Sequence, residues 1–249
     1  MSEILKDRYG ATFVTDAGTF HSYRDLGLLP NGRPRLETPE SKGDTLDVPG
    51  KHGRLFTHTW LTGSVVYDTR AGSLPYLIRG SERERYQTAT RLYQLLHMRE
   101  ARVILDEEPD VYWHGWLSVD APTNRKGVGA DEVDISGVFD PFRMDLTDST
   151  EDWEWDSFNF ETGVARDYGE ITVDGTEVLE FVSSPMGGSP EFYTSNSGMT
   201  VTVDGVTYDL TANDWTVIPD IVLPTDYSAV EMVFGGDGDI IVRYRGGRL

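Results

Sequence analysis

The sequence predicts a mainly β protein of two domains: a first domain with one α-helix and a β-hairpin, and a second domain made of strands. Three observations lead to this fold class. Short apolar runs with a period of two, broken by Gly, Pro and Asp, recur along the 249 residues. A single segment has helical spacing instead. The charge changes sharply near residues 145–157, as expected where two domains join.

The first domain begins with four candidate strands. They are residues 11–15 (ATFVT), 18–23 (GTFHSY), 53–63 (GRLFTHTWLTG) and 64–70 (SVVYDTR). Apolar and polar residues roughly alternate in each of them, and turn-forming residues separate them. We therefore predict a β-strand in each segment.

Residues 81–98 are predicted to form the single helix. Ser81 is placed as the N-cap, and Glu84 completes a capping box because it follows three residues later. The apolar residues that follow at helical spacing are Tyr86, Ala89, Tyr93 and Leu96. We expect these four side chains to line one face, which lies on a sheet.

A β-hairpin and a last strand complete the predicted first domain. Strands at residues 101–105 and 111–119 are expected to be joined by a turn at residues 107–110, which read Glu-Glu-Pro-Asp. Residues 131–139 alternate at Val133, Ile135 and, after a glycine, Val138, which predicts another strand.

The distribution of charge places the domain boundary. Residues 1–150 hold 18 Lys and Arg against 23 Asp and Glu, whereas residues 151–249 hold 4 against 19. The polar, acidic run between the halves has the composition of a connection between domains. We therefore predict a first domain at 1–145, an acidic linker at 146–157 and a second domain at 158–249.

The second domain has the pattern of an antiparallel β-sandwich or jelly roll. Several short alternating runs follow one another, with turn residues about every ten positions. Two Asp-Gly pairs, at 174–175 and 204–205, each predict a type I′ hairpin turn, because that turn needs two positive φ angles. The glycine-rich residues 235–242 are expected to form a further hairpin tip.

Composition excludes several classes of function. The chain has no cysteine, which rules out disulfides, thiolate metal sites and a cysteine nucleophile. No apolar run is long enough for a membrane helix, and the first residues lack the apolar core of a signal peptide. A net charge of -20 argues against nucleic acid as a bound ligand, although it permits DNA in transit past an acidic wall.

No motif of catalysis is found. The surroundings of Ser73 and Ser189 lack the Gly-x-Ser-x-Gly pattern of a hydrolase elbow. The acidic cluster at 106–110 could supply the acid and base of a glycosidase, but acidic residues on a hairpin turn are usually only solvated. We therefore predict no catalytic residue.

Metal and cofactor sites are not predicted either. The five histidines share no metal-ligand spacing. Residues 235–242 fail the EF-hand pattern, because isoleucines stand where the third ligand and the glycine are required.

A basic, glycine-rich segment at residues 47–55, DVPGKHGRL, raises the question of a phosphate site. Its glycines are too closely spaced for a P-loop, and a strand follows them instead of a helix. Pro49 and Gly50 suit the central positions of a type II turn. The turn would then display the basic side chains of Lys51, His52 and Arg54.

The order of these features resembles the distal tail proteins of long-tailed phages that infect Gram-positive hosts. The resemblance is carried by FHSYRDLGLLP at 20–30, DVPGKHGRL at 47–55 and ILDEEPDVYWHGWL at 104–117. The terminal IIVRYRGGRL at 240–249 is similar to the last strand of the second domain of that family.

The resemblance implies a structural protein of the virion tail that is made in the bacterial host cytoplasm. Such proteins form a hexameric hub ring between the tail tube and the tail tip or baseplate, around a channel that DNA crosses. An outward, galectin-like second domain holds receptor-binding proteins, peripheral baseplate proteins or a tail-associated lysin. The resemblance implies no enzymatic activity, no cofactor and no membrane.

Two sets of residues are candidates for the subunit contacts of such a ring. Lys51, His52 and Arg54 could meet an acidic neighbouring subunit. Tyr112, Trp113 and Trp116 are of the aromatic type that is enriched in interface cores. The alternative for each of these three is packing inside its own domain.

A function of a different class also agrees with the sequence. The second domain could be a carbohydrate-binding module or receptor-binding protein that stacks aromatic side chains on a sugar ring. The candidates for stacking are Trp153, Trp155 and Trp215, with Tyr168, Tyr193 and Tyr227 as further aromatics.

Overall fold

The computed structural model describes residues 9–60, 63–125, 129–151 and 168–249. The chain divides into two compact units, Met1–Arg143 and Met144–Leu249. Strands make up most of the described part, where one helix is present, so the predicted mainly β fold class is confirmed. In the described ranges no helix has the length and apolar character needed to cross a bilayer.

Unit 1 is built around one antiparallel sheet. The order of its strands is β2-β1-β8-β9-β11-β7-β3, with β10 paired to β11 and β4 paired to β7. A separate pair, β5 and β6, forms a two-stranded sheet of its own. The elements of this unit are β1 Ala11–Thr15, β2 Gly18–His21, β3 Leu29–Pro30, β4 Arg35–Leu36, β5 Thr45–Asp47, β6 Arg54–Phe56, β7 Arg70–Arg79, α1 Glu82–Leu96, β8 Arg99–Leu105, β9 Glu108–Val119, β10 Thr123–Arg125 and β11 Ala130–Phe139.

The helix α1 begins where the sequence predicts. The Ser81 hydroxyl accepts the backbone N–H of Glu84, and the Glu84 carboxylate accepts the backbone N–H of Ser81, which completes the capping box. The predicted buried face is partly wrong, because Tyr86 is 76% exposed and Tyr93 is also exposed. The residues that face the sheet are Arg85, Ala89, Leu92 and Leu96.

Arg85 is buried on this face of the helix, and its guanidinium has partners there. Its Nε lies 2.9 Å from a carboxylate oxygen of Asp131 on β11, and its guanidinium donates to the carbonyl of Gly80 at 2.7 Å. The ion pair fixes the helix over the sheet, because a buried guanidinium needs such partners. Around it, Leu92 and Leu96 pack with Phe13, Val103 and Ile135 in the core of the unit.

Two strand predictions in unit 1 are wrong in extent. Among the described residues of 53–63, only Arg54–Phe56 form a strand, β6, and residues 64–69 lie outside the named strands; the long strand of this region is β7, Arg70–Arg79. The predicted hairpin exists, but its turn lies at 106–107, because Glu108 already pairs with Leu105. The register shifts between Val103 and Leu105, and this irregularity accommodates Pro109, which has no N–H to donate.

Unit 2 consists of one antiparallel sheet that bends around its core. Its main order is β16-β15-β18-β14-β17, and β13 pairs with β18 along the whole of β13. On its other side, β18 pairs first with β15 and further along with β14. Its strands are β13 Ile171–Val182, β14 Glu191–Thr194, β15 Thr200–Val203, β16 Val206–Asp209, β17 Asp214–Val217 and β18 Ala229–Arg243. Two short strands outside this sheet, β12 Arg143–Asp145 and β19 Gly247–Arg248, pair with each other.

Both ends of the long β13–β18 ribbon contribute to a single core. Phe181 and Phe234 come from one end, whereas Val173, Ile240 and Val242 come from the other. The ribbon must therefore fold over itself, so that one continuous sheet supplies two facing layers. This arrangement agrees with the β-sandwich that the sequence predicts.

Only one of the two Asp-Gly pairs forms a hairpin turn. Asp204 and Gly205 have φ values of 50° and 78° and join β15 to β16, as predicted. The prediction for Asp174 and Gly175 is wrong, because both lie inside β13 and pair with β18. The expected hairpin tip at residues 235–242 is likewise wrong, since these residues lie within β18.

Two opposed glycines explain why β13 and β18 continue as strands through these positions instead of ending in turns. Gly175 has a φ of 77° and lies directly opposite Gly236, whose φ is 114°. Residues with a Cβ rarely adopt such angles, so glycine on both strands allows the ribbon to bend here. The Asp-Gly signal therefore marks a bend in this position instead of a reversal of the chain.

The start of unit 2 is bound to its last long strand. Ser149 is completely buried; its hydroxyl donates to the carbonyl of Val242 at 2.6 Å and accepts the N–H of Tyr244 at 2.8 Å. These contacts include part of the segment 146–157, and residues 152–157 of that segment lie outside the described residues. The proposed domain limits and linker stay a prediction.

Candidate assembly surfaces

The segment DVPGKHGRL forms the tip of the β5–β6 hairpin. The N–H of Lys51 donates to the carbonyl of Val48 at 3.0 Å, and Gly50 has a φ of 84°, which confirms the Pro-Gly type II turn. Lys51, His52 and Arg54 are exposed on this turn, as predicted. Their role in contacts between subunits stays a prediction.

This hairpin belongs to a longer arm, which the structure describes at residues 40–60 and 63–68. The N–H of Asp68 donates to the carbonyl of Glu40, and the N–H of Lys42 donates to the carbonyl of Val66, at 2.7 and 2.8 Å. Within the described residues, no side chain of the arm belongs to the hydrophobic core of unit 1. Backbone hydrogen bonds hold the two sides of the arm together, and its Tyr67 ring lies edge-on to the ring of Phe142 with centroids 5.8 Å apart, outside that core.

The arm carries a concentration of exposed apolar side chains. Phe56 is 66% exposed and Trp60 is 58% exposed. Exposed apolar groups that lie close together are typical of surfaces that bind another molecule. Among the described residues of the arm, the remaining exposed apolar side chains are those of Leu46, Val48, Val65 and Val66.

The aromatic residues of β9 divide into two kinds. Trp113 is buried in the core of unit 1, where the Arg70 guanidinium lies 4.8 Å from the centre of its ring. Tyr112 is also buried, with Arg102 5.3 Å from its ring centre. Trp116, in contrast, is 55% exposed. Of the three residues proposed for an interface, only Trp116 has much surface to offer a partner.

Trp116 lies in an open cleft on the face of the sheet that points away from α1. We call it the outer cleft; its volume is about 570 Å³. Its apolar floor comes from β1, β9 and the residue before β8, and exposed carboxylates of Asp16 and Glu100 stand at its rim. The lining residues are Val14, Thr15, Asp16, Met98, Arg99, Glu100, Ala101, Arg102, His114 and Trp116.

Contacts between polar and charged side chains fix the polar side of the outer cleft. The two ring nitrogens of His114 lie 2.9 Å from Glu100 and 2.7 Å from Asp140. Arg99 donates to both carboxylate oxygens of Asp16 at 2.6 Å. The rim is therefore ordered, while the exposed side chains of Trp116 and Met98 stay uncovered. The cleft thus offers exposed apolar groups beside carboxylates that already have partners within the chain.

The acidic residues at 106–108 contact basic side chains of unit 1. Asp106 lies 3.1 Å from His21, Glu107 lies 3.1 Å from Arg33, and Glu108 lies 2.6 Å from Arg143. These contacts hold the turn of the β8–β9 hairpin against other strands. They give the cluster a structural use and none that suggests glycoside chemistry. Among the described residues, no group of three His, Asp or Glu side chains could hold a metal ion.

The proposed sugar-stacking residues are tested only in part. Trp215 lies on β17, and the Arg243 guanidinium lies 3.9 Å from the centre of its ring, so this face of the indole is already covered. Arg243 is itself paired with Glu191. Trp153 and Trp155 lie outside the described residues. Sugar stacking by these three residues stays a prediction.

The sequence does not predict the exposed apolar side chains of the arm and of the outer cleft. It predicts ordinary strands at Phe56 and Trp60 and the end of a helix at Met98. One signal for the arm was present in the sequence: residues 48–67 contain no Asp or Glu, although the chain has 42 of them. No signal within β9 could tell that Trp116 is exposed and Trp113 buried, because Tyr112, at the same parity as Trp116, is buried as well.

Comparison with known proteins gives a result at the level of structure. No protein-family model matches the sequence, and no curated protein matches it. The two-unit, mainly β fold is, however, similar to that of a class of phage tail hub proteins. In particular, it matches the Dit protein (gp 19.1) of SPP1, described as a paradigm of the hub adsorption apparatus in Gram-positive infecting phages. The TM-score is 0.58 at 14% identity, over 96% of this chain and 99% of that chain.

A second solved structure matches a smaller part of the chain. It is the tail of an empty GTA particle with C6 symmetry, and it matches 57% of this chain and 97% of its own with a TM-score of 0.34 and 13% identity. The match to the Dit protein confirms the resemblance to distal tail proteins at the level of the fold.

Proposed function

We propose that the protein is the hub of a phage tail: a structural component that forms a hexameric ring joining the tail tube to the tail tip or baseplate. The single observation that carries this proposal is the fold match to the Dit hub protein over 96% of the chain. Both units take part in that match, so the whole chain, and not one common sandwich within it, supports the proposal.

Unit 1 makes the ring in this proposal. It offers the exposed surfaces that a closed ring needs, because heterologous contacts join two different patches of the same chain. The arm and the outer cleft are two such patches. The ring surrounds a channel that DNA crosses during ejection, and the net charge of -20 favours passage over binding.

Unit 2 holds peripheral proteins in this proposal. It faces outward and anchors receptor-binding proteins, other baseplate proteins or a tail-associated lysin. A non-enzymatic role agrees with the pairing of the acids at 106–108, whose carboxylates bind His21, Arg33 and Arg143. The protein would be made in the cytoplasm of the bacterial host and reside in the virion tail.

Negative-stain electron microscopy of the purified full chain tests the proposal. We expect a six-fold ring with an axial hole, and binding of that ring to the tail-tube protein of the same phage. Mass determination by light scattering supplies the number of subunits independently of the image. A chain that stays monomeric at high concentration and binds neither tube nor tip proteins would show that the fold serves another function.

A further inference from the structure

Unit 2 contains a cleft of its own, which we call the unit 2 cleft. Its volume is about 410 Å³, within the range of pockets that hold small organic ligands. Its polar lining comes from the paired strands β14 and β18, from the loop before β14 and from the segments on either side of β19 and β12. The polar side chains that line it are Asp148, Ser189, Glu191, Arg243 and Arg245.

The loop at residues 186–189 forms one wall of this cleft in a fixed conformation. Gly187 and Gly188 have φ values of 64° and 125°, which favour glycine. The N–H of Leu223 donates to the carbonyl of Gly188 at 2.8 Å, and a Cβ added at Gly187 would lie 3.0 Å from the carbonyl oxygen of Leu223. The half-buried side chain of Met186 brings an apolar group to this wall.

Arg243 and Glu191 supply hydrogen-bonding groups that their own contact leaves available. Nε and Nη2 of Arg243 both donate to the same oxygen, Oε2 of Glu191, the first at 2.8 Å. Within the described residues, Oε1 of Glu191 and Nη1 of Arg243 make no hydrogen bond. One acceptor and one donor are thus held near each other and remain free to bind a ligand.

The indole of Trp215 supports the Arg243 guanidinium from outside the cleft. Cζ of Arg243 lies 3.9 Å from the centre of the indole, and the ring of Tyr193 lies beside the indole with centroids 5.4 Å apart. Stacking on an aromatic face restricts the orientation of a guanidinium. Trp215 is therefore a positioning residue for Arg243 in this site.

The charges of the cleft favour a neutral ligand. Residues 151–249 contain 4 Lys and Arg against 19 Asp and Glu, and two of those four bases, Arg243 and Arg245, line the cleft. Each has a carboxylate partner, Glu191 for Arg243 and Asp148 for Arg245. The charges of the two pairs cancel, and the acidic remainder of the unit repels an anion.

We propose that the unit 2 cleft binds a neutral pyranose sugar. One hydroxyl donates to Oε1 of Glu191, and the neighbouring hydroxyl accepts from Nη1 of Arg243. Hydrogen bonds to charged partners are stronger than those between neutral groups. The C–H groups of the sugar ring contact Met186, and the exposed hydroxyl of Ser189 can donate or accept one further bond. This binding is additional to the proposed hub function and does not depend on it.

NMR of the full chain with labelled methionine methyl groups tests the site. Met186 lines the cleft, whereas Met199 and Met232 are buried in the core of the same unit. The probes are the methyl glycosides of glucose, galactose and N-acetylglucosamine, with glucuronic acid and glucosamine as charged counterparts. We expect a neutral glycoside to shift the Met186 signal alone, and the charged counterparts to bind about tenfold more weakly.

Substitutions of the pair locate the binding. Glu191→Gln and Arg243→Met should each weaken it about tenfold or more, because a hydroxyl loses a charged partner. Glu231→Gln is the matched control, since it removes the same charge from an exposed position of β18 outside the cleft. Unchanged signals of Met199 and Met232 show that unit 2 of each variant is folded.

Trp215→Leu distinguishes support of Arg243 from direct stacking on the sugar. We expect this substitution to weaken binding about threefold in the original chain. It should have no effect in the Arg243→Met variant, where no guanidinium is left to support. An equal loss in both chains would show that the sugar stacks on the indole, and would overturn the positioning role.

Three other results would overturn the inference. A Met186 signal that no neutral glycoside moves would show that the cleft binds no pyranose. Tighter binding of glucuronic acid or glucosamine would contradict the selection of a neutral ligand by balanced charges. An equal loss in Glu231→Gln would show that binding depends on the overall charge of unit 2. None of these results bears on the proposed ring, which microscopy tests separately.

Discussion

Replacement of Gly72 by alanine tests how closely the strands of unit 1 approach one another around Phe139. The Phe139 side chain is buried beside two glycines of neighbouring strands, Gly72 on β7 and Gly115 on β9. A Cβ added at Gly72 would lie 2.5 Å from an atom of the Phe139 ring. A Cβ added at Gly115 would instead lie 2.3 Å from the carbonyl oxygen of Val138 and 2.7 Å from the Cα of Phe139.

The two substitutions therefore differ in what must move. Neither glycine has a positive φ, so alanine meets no backbone strain and gains roughly 0.5–1 kcal/mol from lower entropy of the unfolded chain. Overpacking costs about 1–3 kcal/mol and exceeds this gain. We expect Gly72→Ala to lower the free energy of unfolding of unit 1 by about 1–2 kcal/mol. Gly115→Ala should cost at least as much, because backbone atoms cannot turn aside.

Combination with Phe139→Leu separates the two cases. The smaller side chain removes the ring atoms that obstruct Gly72→Ala but leaves the backbone near Gly115 unchanged. We expect the Gly72→Ala and Phe139→Leu pair to cost about 1 kcal/mol less than the sum of the single substitutions. The Gly115→Ala and Phe139→Leu pair should be nearly additive.

Hydrogen exchange followed by mass spectrometry is the suitable assay, because peptides from β7, β9 and β11 report on unit 1 separately from unit 2. A neutral Gly72→Ala would show that the ring is not held against β7. Equal coupling of both glycines to Phe139→Leu would refute the distinction between ring and backbone obstruction.

Three further predictions concern the cap, a turn and the arm. Ser81→Ala should cost about 1 kcal/mol of stability, because the backbone N–H of Glu84 loses its acceptor. Hydrogen bonds from Ser81 also lower the pKa of Glu84, so the further stability that comes from its carboxylate is present above the unfolded pKa and is lost as pH falls through the lowered folded value; the difference in stability should therefore shrink in acid. Gly205→Ala should cost about 1 kcal/mol, because its φ is 78° in open space, and exchange in β15 and β16 measures it. Lys51→Glu with Arg54→Glu should weaken assembly about tenfold at low salt and less at high salt, with circular dichroism unchanged; an intact ring would show that the turn only connects strands.

Features set by a few neighbouring residues could be predicted from the sequence. The Ser81 capping box, the turn at Pro49 and Gly50, and the turn at Asp204 and Gly205 each depend on hydrogen bonds or φ angles within about four positions. Nothing distant in the chain has to be known to place them.

Features set by distant partners could not be predicted in this way. Gly175 resembles Gly205 locally, yet it pairs with Gly236 on a strand far along the chain, and that pairing makes it a bend. Tyr86 and Tyr93 have helical spacing with Leu96, but the rotation of α1 over the sheet is set by the ion pair of Arg85 with Asp131. A pattern within one segment contains no information on either partner.

The sequence predicts the candidate surfaces even less completely than the fold. Alternation in residues 53–63 indicates a strand, but it does not indicate whether another layer covers that strand. The exposure of the arm therefore could not be predicted. The basic tip could be predicted, since a turn displays its side chains to solvent. Trp116 was selected as an aromatic together with Tyr112 and Trp113, and only the register of β9 in the sheet distinguishes it from them.

The central position of β18 has a consequence for the synthesis of the protein. The strands β13, β14 and β15 all pair with β18, which leaves the ribosome after every one of them. Most strands of unit 1 can pair while translation continues, whereas unit 2 waits with open strand edges until residues 229–243 emerge. A premature stop before this strand would yield a chain in which most of unit 1 is paired and unit 2 aggregates or is degraded.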